Sequence, residues 1–133
     1  MVDGKEMQMM AVVKVFHISP VEGATPSDPW TIERTHVANV HVNQEGDVEW
    51  ITEVILEQAY CLTQNIRGSW SRGPNFEDGE INMDFNSNIQ VIAPLEVYEG
   101  KTYGHRSSMV GDEFELNGKI YRCDTIGFEE KTV

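Results

Sequence analysis

Apolar side chains recur with two different periods along this chain, and the periods divide it into elements. Met10 to Ile18 is rich in β-branched residues and apolar on both faces except at Lys14 and His17, which predicts a strand. Residues 1–9 show no pattern and read as a loose tail. After Ser19-Pro20, a stretch through Pro26, Ser27, Asp28 and Pro29 is dense in turn formers and predicts a loop. Thr35 to Val42 predicts a second strand, with Ala38, Val40 and Val42 on one face and Val37, Asn39 and His41 on the other. Asn43-Gln44-Glu45-Gly46 makes the turn out.

From Asp47 to about Gln64 the period changes to that of a helix. Ile51, Val54, Ile55, Ala59 and Leu62 form one apolar stripe, opposite Glu49, Thr52, Glu53 and Glu57. Asp47 is the expected N-cap, and Asn65 and Gly68 are stop signals. A polar loop over 67–80 follows. Ile81 to Phe85 alternates apolar with polar and predicts a half-buried strand, with Ile81, Met83 and Phe85 inward. Ile89 to Ala93 predicts another short strand, stopped by Pro94, and 95–103 reads as either strand or loop. Asn117-Gly118 predicts a C-terminal β-hairpin with a type I′ turn, because both central residues there need positive φ. A two-residue turn sets Phe114 opposite Tyr121 and Glu113 opposite Arg122, an apolar pair and an opposite-charge pair.

These elements predict an α+β fold in a single domain over 1–133: an antiparallel sheet of four to six strands with one main helix packed on it. At 133 residues and 40% hydrophobic composition the chain can build its own core. No apolar run approaches the length of a membrane span, and the N-terminal residues lack the basic region of a secretory signal. An intracellular chain is expected, without a membrane partner. Cys61 and Cys123 are too few for a disulfide framework or a thiolate zinc site. The net charge of −12, from 22 acidic against 10 basic residues, opposes direct binding to nucleic acid and favours a basic protein partner.

Motifs for phosphate loops, dinucleotide folds, zinc proteases and serine hydrolases are absent. Asp78-Gly79-Glu80 lacks the acid that a calcium loop needs where Pro74 stands. His36 and His41, five apart on a strand, are expected on opposite faces, whereas His17 and His41 could meet on paired strands. No metal site or cofactor is expected, and no acid, base or nucleophile stands out. Three groups are candidates for binding. Trp70 flanked by Arg67 and Arg72 has the composition of an interface hot spot, or of a base-stacking and phosphate-holding trio; alternatively Trp70 folds back as a lid on the core. Arg106, Ser107, Ser108 and Asp112 could grip a carboxylate or phosphate, or could bond local backbone and form a turn. Glu49, Glu53 and Glu57 form an acidic helix face, either simply solvated or turned to a basic partner.

The run Arg106-Ser107-Ser108-Met109-Val110-Gly111-Asp112, the hairpin from Asn117 to Cys123 and Ile126-Gly127-Phe128-Glu129-Glu130 together resemble the ending of a group of small phage and mobile-element proteins. That ending reads Arg-Ser-Thr-Ser-Val-Gly-Asp, a hairpin with an aromatic, then Gly-Phe or Gly-Trp. Ala59 to Ile66, followed by Ser69-Trp70, is similar to the same group. The likeness covers about half the chain and departs at Ser108-Met109, where the group has Thr-Ser. It implies a phage or plasmid accessory product that is small, acidic and non-enzymatic and that binds and modulates a host protein in the host cytoplasm. Two other readings stay open: a virion component, such as a capsid decoration or head-completion protein, and a nucleotide-sequestering protein with Arg106, Ser107 and Trp70 in its pocket. A homo-oligomer is compatible with each.

Overall fold

A computed structural model describes residues 6–20, 32–47 and 50–131. The chain runs β1 (Glu6–Pro20), β2 (Ile32–Asp47), α1 (Ile51–Leu62), β3 (Ile89–Val91), β4 (Glu96–Tyr98), β5 (Lys101–Tyr103), β6 (Glu113–Leu116), β7 (Lys119–Cys123) and β8 (Phe128–Glu130). Six of the strands form one antiparallel sheet in the order β3-β2-β1-β6-β7-β8. β4 and β5 pair separately.

β1 and β2 are far longer than their neighbours. They pair from Glu6↔Asp47 to Pro20↔Ile32, while β6 covers β1 only at Lys14–Phe16 and β3 covers β2 only at Ala38–Val40. The first ladder therefore extends past the sheet at both ends as an arm. The start of β1 at Glu6 corrects the expectation of a loose tail to residue 9, and residues 1–5 lie outside the described residues. The Pro/Ser-rich loop expected around Pro26–Pro29 also lies outside them.

One bulge changes the pattern of β2. The register passes from Val15↔Ala38 to Phe16↔His36, so Val37 is an extra residue. Val37 and Ala38 are consequently both buried, although strict alternation would separate them. The extra residue also brings His36 onto the face of His41. His36 lies opposite Phe16 and His41 opposite Val12, both on the side of the sheet away from the helix. His17 points to the other side, so it does not meet His41.

α1 begins at Ile51. Asp47 closes β2, and the N-cap position is Trp50, which makes no side-chain cap bond. Ile51, Ile55, Leu56 and Ala59 are the buried helix residues, packed with Val13, Val15, Val40, Phe114 and Leu116. Leu56 takes the place expected of Val54, which is exposed.

The back of the sheet is polar and held by charge. Glu113 accepts from Arg34 Nε at 2.6 Å and Lys131 Nζ at 2.9 Å. Burial alone would raise the Glu113 carboxyl, but these two cations hold it below its ordinary range. The Arg34 guanidinium also lies 3.5 Å from the Phe16 ring centre and covers it.

β6 and β7 pair with Phe114 opposite Tyr121 and Glu113 opposite Arg122, and Asn117 and Gly118 have φ of 53° and 80°. β8 then pairs with β7, so the hairpin is the first half of a three-strand meander and does not end the fold. The segment from Ile81 to Phe85 is not a strand. Ile81 makes a single bridge to Asn75, and its alternation is inverted: Asn82 is buried while Ile81, Met83 and Phe85 are exposed.

Phe114 is fully buried against Tyr60 and Phe128. Phe114→Ala is expected to cost about 3–5 kcal/mol. Ile126→Ala, at a position 93% exposed, is expected to stay within about 0.5 kcal/mol. Urea unfolding of the two variants checks the contrast.

Candidate functional site

The segment from His105 to Asp112 is stapled to the rest of the fold by its own polar groups. Asp112 is 1% exposed and takes four hydrogen bonds. Arg106 grips it with both terminal nitrogens, Nη1 to Oδ2 at 2.7 Å and Nη2 to Oδ1 at 2.8 Å. The amides of Ile18 and Met109 donate to Oδ1 at 2.9 Å and Oδ2 at 2.8 Å. Through its backbone, Asp112 also accepts from Cys123 N at 2.8 Å. A bidentate guanidinium and two amides fill the carboxylate's acceptor positions. Arg106 also donates to the carbonyls of Ile18 and Ser107. Its anion-gripping edge is thus spent on an internal anion.

Ser107 and Ser108 are spent in the same way. Ser107 Oγ accepts from Asn65 N at 2.8 Å. Ser108, 2% exposed, lies between His17 Nε2 at 3.1 Å and Thr63 Oγ1 at 2.7 Å. Thr63 Oγ1 in turn donates to Ala59 O at 2.9 Å. Each hydroxyl carries one proton, so this chain has one direction. Thr63 donates to the helix, Ser108 donates to Thr63, and His17 Nε2–H donates to Ser108. A Ser-His-Asp set that activates the serine needs the reverse: the ring nitrogen must accept the serine proton, and the carboxylate must hold the other nitrogen. Here Asp112 Oδ2 lies 3.9 Å from the same Nε2. Burial pushes the His17 imidazole down to about 4; Asp112 opposes this, while Arg106 and His105 add to it.

Trp70 is 1% exposed and forms a lid over this region. Its indole donates to Arg106 O at 2.8 Å, and its ring meets His17 and His105. Arg72 is paired with Glu77, holding that carboxyl down to about 2, and lies over Phe76. Arg67 is exposed. The three side chains therefore do not form one exposed cluster.

The loop carrying them is organised from 82–84. Asn82 donates to the carbonyls of Ser69, Arg72 and Gly73, and its Oδ1 accepts from Ser69 N and Asp84 N. Asp84 Oδ2 accepts three successive amides, those of Ile66, Arg67 and Gly68, at 2.6, 2.9 and 2.8 Å. A Cβ at Gly68 would run into the Asn82 amide. These inward bonds explain the inverted alternation: the polar side chains satisfy a loop backbone, and Ile81, Met83 and Phe85 are left outside.

The open side of α1 carries the remaining candidates. Glu53 and Glu57 are exposed, and Glu49 lies outside the described residues. The exposed tryptophan of the described chain is Trp50, 62% exposed, one turn before the exposed Val54. The sequence marks it only as the residue ahead of the apolar stripe. His17 carries no local signal either, since its partners Ser108, Trp70 and His105 come from distant segments.

A cleft of about 620 Å³ lies between the 65–78 region and β5, with Arg72, Phe76, Lys101 and Tyr103 in its walls. Arg106, Ser107 and Trp70 do not line it. Among the described residues no three His, Cys, Asp or Glu side chains gather to hold a metal, and no helix is long and apolar enough to cross a membrane. Cys61 is exposed and Cys123 buried, and both are free.

Two outcomes follow from this geometry. Asp112→Ala strands a guanidinium and two amides and is expected to cost about 3–5 kcal/mol. The folded chain keeps His17 neutral down to about pH 4, whereas unfolding restores a value near 6.5. Between those values the unfolded state binds the extra proton, so stability falls as pH falls. The loss from this group reaches about 3 kcal/mol by pH 4. Urea melts at pH 7 and pH 4.5 are expected to differ less in His17→Gln than in the native chain.

Compared with known proteins, the chain matches no family model, and neither a curated protein nor a solved structure is found to be similar to it.

Proposed function

We propose that the chain is a non-enzymatic protein-binding module that uses the open face of α1 to engage a basic partner. The observation that carries this reading is the composition of that face. Trp50 and Val54 stand exposed at its start, and Glu53 and Glu57 follow on the same side. An exposed tryptophan among charges is typical of an interface anchor. The net charge of −12 draws basic surfaces and repels acidic ones. The polar residues best suited to chemistry are buried and occupied by internal partners: His17 with Ser108, and Asp112 with Arg106 and two backbone amides.

The likeness of the 106–130 segment to small phage and mobile-element proteins supports a phage-type accessory role, in which the partner is a host protein in the cytoplasm. A second reading is favoured by the β1–β2 arm, which extends past the sheet at both ends. Such an arm suits assembly contacts in a virion, and mass spectrometry of purified particles separates the two: absence of the chain removes the virion role.

The test of the main reading is affinity capture from host extract with the native chain and with the double variant Trp50→Ala, Glu57→Lys. The native chain is expected to recover a basic protein in stoichiometric amount. The variant is expected to recover at least about tenfold less, the size of a hot-spot loss. Equal recovery by both, or no stoichiometric partner, contradicts the proposal.

A further inference from the structure

At the C-terminal end of α1 the exposed apolar side chains and the acidic ridge converge on one small depression. It has a volume of about 160 Å³ and is lined by Cys61, Leu62, Ile66, Met83, Asp84 and Phe85 among others. Ile66 is 73%, Met83 61% and Phe85 42% exposed, and all three line this one depression. The floor is rigid, because Asp84 Oδ2 is fixed by the amides of Ile66, Arg67 and Gly68. That leaves the other carboxylate oxygen, Oδ1, without a hydrogen bond among the described residues.

Three sources of negative potential meet here. One is the Asp84 carboxylate. The second is the carbonyl end of α1, whose last turn has no basic residue. The third is the helix ridge: Glu53, Glu57 and Cys61 follow at four-residue steps, so the glutamates lead up to the depression's edge. The nearest cation in sequence, Arg67, gives Asp84 its amide and makes no ion pair among the described residues.

We propose that this depression is an anchor site for one basic side chain of a protein partner. An arginine or lysine would lay its aliphatic stem on Ile66, Met83 and Phe85 and bring its charged head to Asp84. Long basic side chains are suited to such a site because their stems are apolar and only their heads need water or an anion. A purely apolar anchor would cover the free oxygen of Asp84 without satisfying it. The site deepens the binding-module reading by giving the partner's chemistry at one position, and it rests on that reading only for the claim that the basic group belongs to a protein.

Amide NMR titrations of the whole chain with N-acetyl-arginine amide, N-acetyl-norleucine amide and N-acetyl-glutamate amide test the proposal. The arginine probe is expected to move the amides of 61–66 and 83–86. It is expected to do so at about three- to fivefold lower concentration than norleucine, the effect of a surface ion pair. The glutamate probe is expected to move none of them. Met83→Ser, at an exposed position that accepts no structural hydrogen bond, is expected to weaken the arginine probe at least threefold while the rest of the spectrum stays native. Equal binding of arginine and norleucine overturns the charge assignment. Shifts scattered over the acidic surface, or a Met83→Ser variant that binds as well as the native chain, overturn the site. If the probe binds here and affinity capture recovers no partner, the site stands and the binding-module reading falls; the reverse result separates them the other way.

Discussion

Asp112 is the point on which the C-terminal half of the molecule turns. One buried carboxylate holds the start of the 106–112 segment through Arg106, the turn through Met109, and the end of β1 through Ile18. Its backbone continues the β6–β7 ladder through Cys123. A buried charge is tolerated only when every acceptor site is filled, and here Arg106 and Met109 fill it from the same segment while Ile18 fills it from the distant end of β1. Removing the carboxylate would free the segment that carries Ser107 and Ser108. It would also loosen the floor beneath Trp70, whose indole is bonded to Arg106 O.

That arrangement sorts the molecule into a fixed interior and an available exterior. His17, Ser108 and Thr63 form a chain of hydrogen bonds running from β1 to the end of α1, and Asp112 is held beside it by Arg106 and the amides of Ile18 and Met109. Asn82 and Asp84 do the same for the loop after the helix, by a different device: side-chain oxygens collect successive backbone amides. Both networks use polar residues inward. Their consequence is that apolar residues are displaced outward, at Ile66, Met83 and Phe85. The apolar patch at these three residues is thus a by-product of how the loop after α1 is held, and it lies beside an acidic helix ridge.

The sequence made the sheet, the helix and the turn at Asn117-Gly118 legible because each rests on local rules of period or φ. It failed where distant groups decide. The bulge at Val37 has no local signature, and it reverses the facing of His36 relative to His41. The 81–85 alternation has the period of a strand, but Asn82 and Asp84 are drawn inward by the loop backbone. Asp47 resembles an N-cap, yet β2 claims it as the partner of Glu6. For the candidate site, residue types were legible and roles were not. Arg106 and the serines have the chemistry of an anion grip, and only the fold shows that the anion of Arg106 is Asp112 and that the serines bond Asn65, His17 and Thr63 instead. Trp70 and Trp50 cannot be ranked by exposure from sequence, because burial of Trp70 depends on His17 and His105 arriving from other segments.

The central claim is that the 105–112 segment is scaffold and the outer side of α1, with the depression at its end, is the contact surface. Hydrogen–deuterium exchange of the chain, free and in the complex recovered from extract, tests it most directly. The account predicts new protection on binding over 50–66 and 81–86, with the amides of Ser108, Met109, Gly111 and Asp112 already slow in the free chain and unchanged in the complex. New protection confined to 105–112, with the helix unaffected, would contradict it.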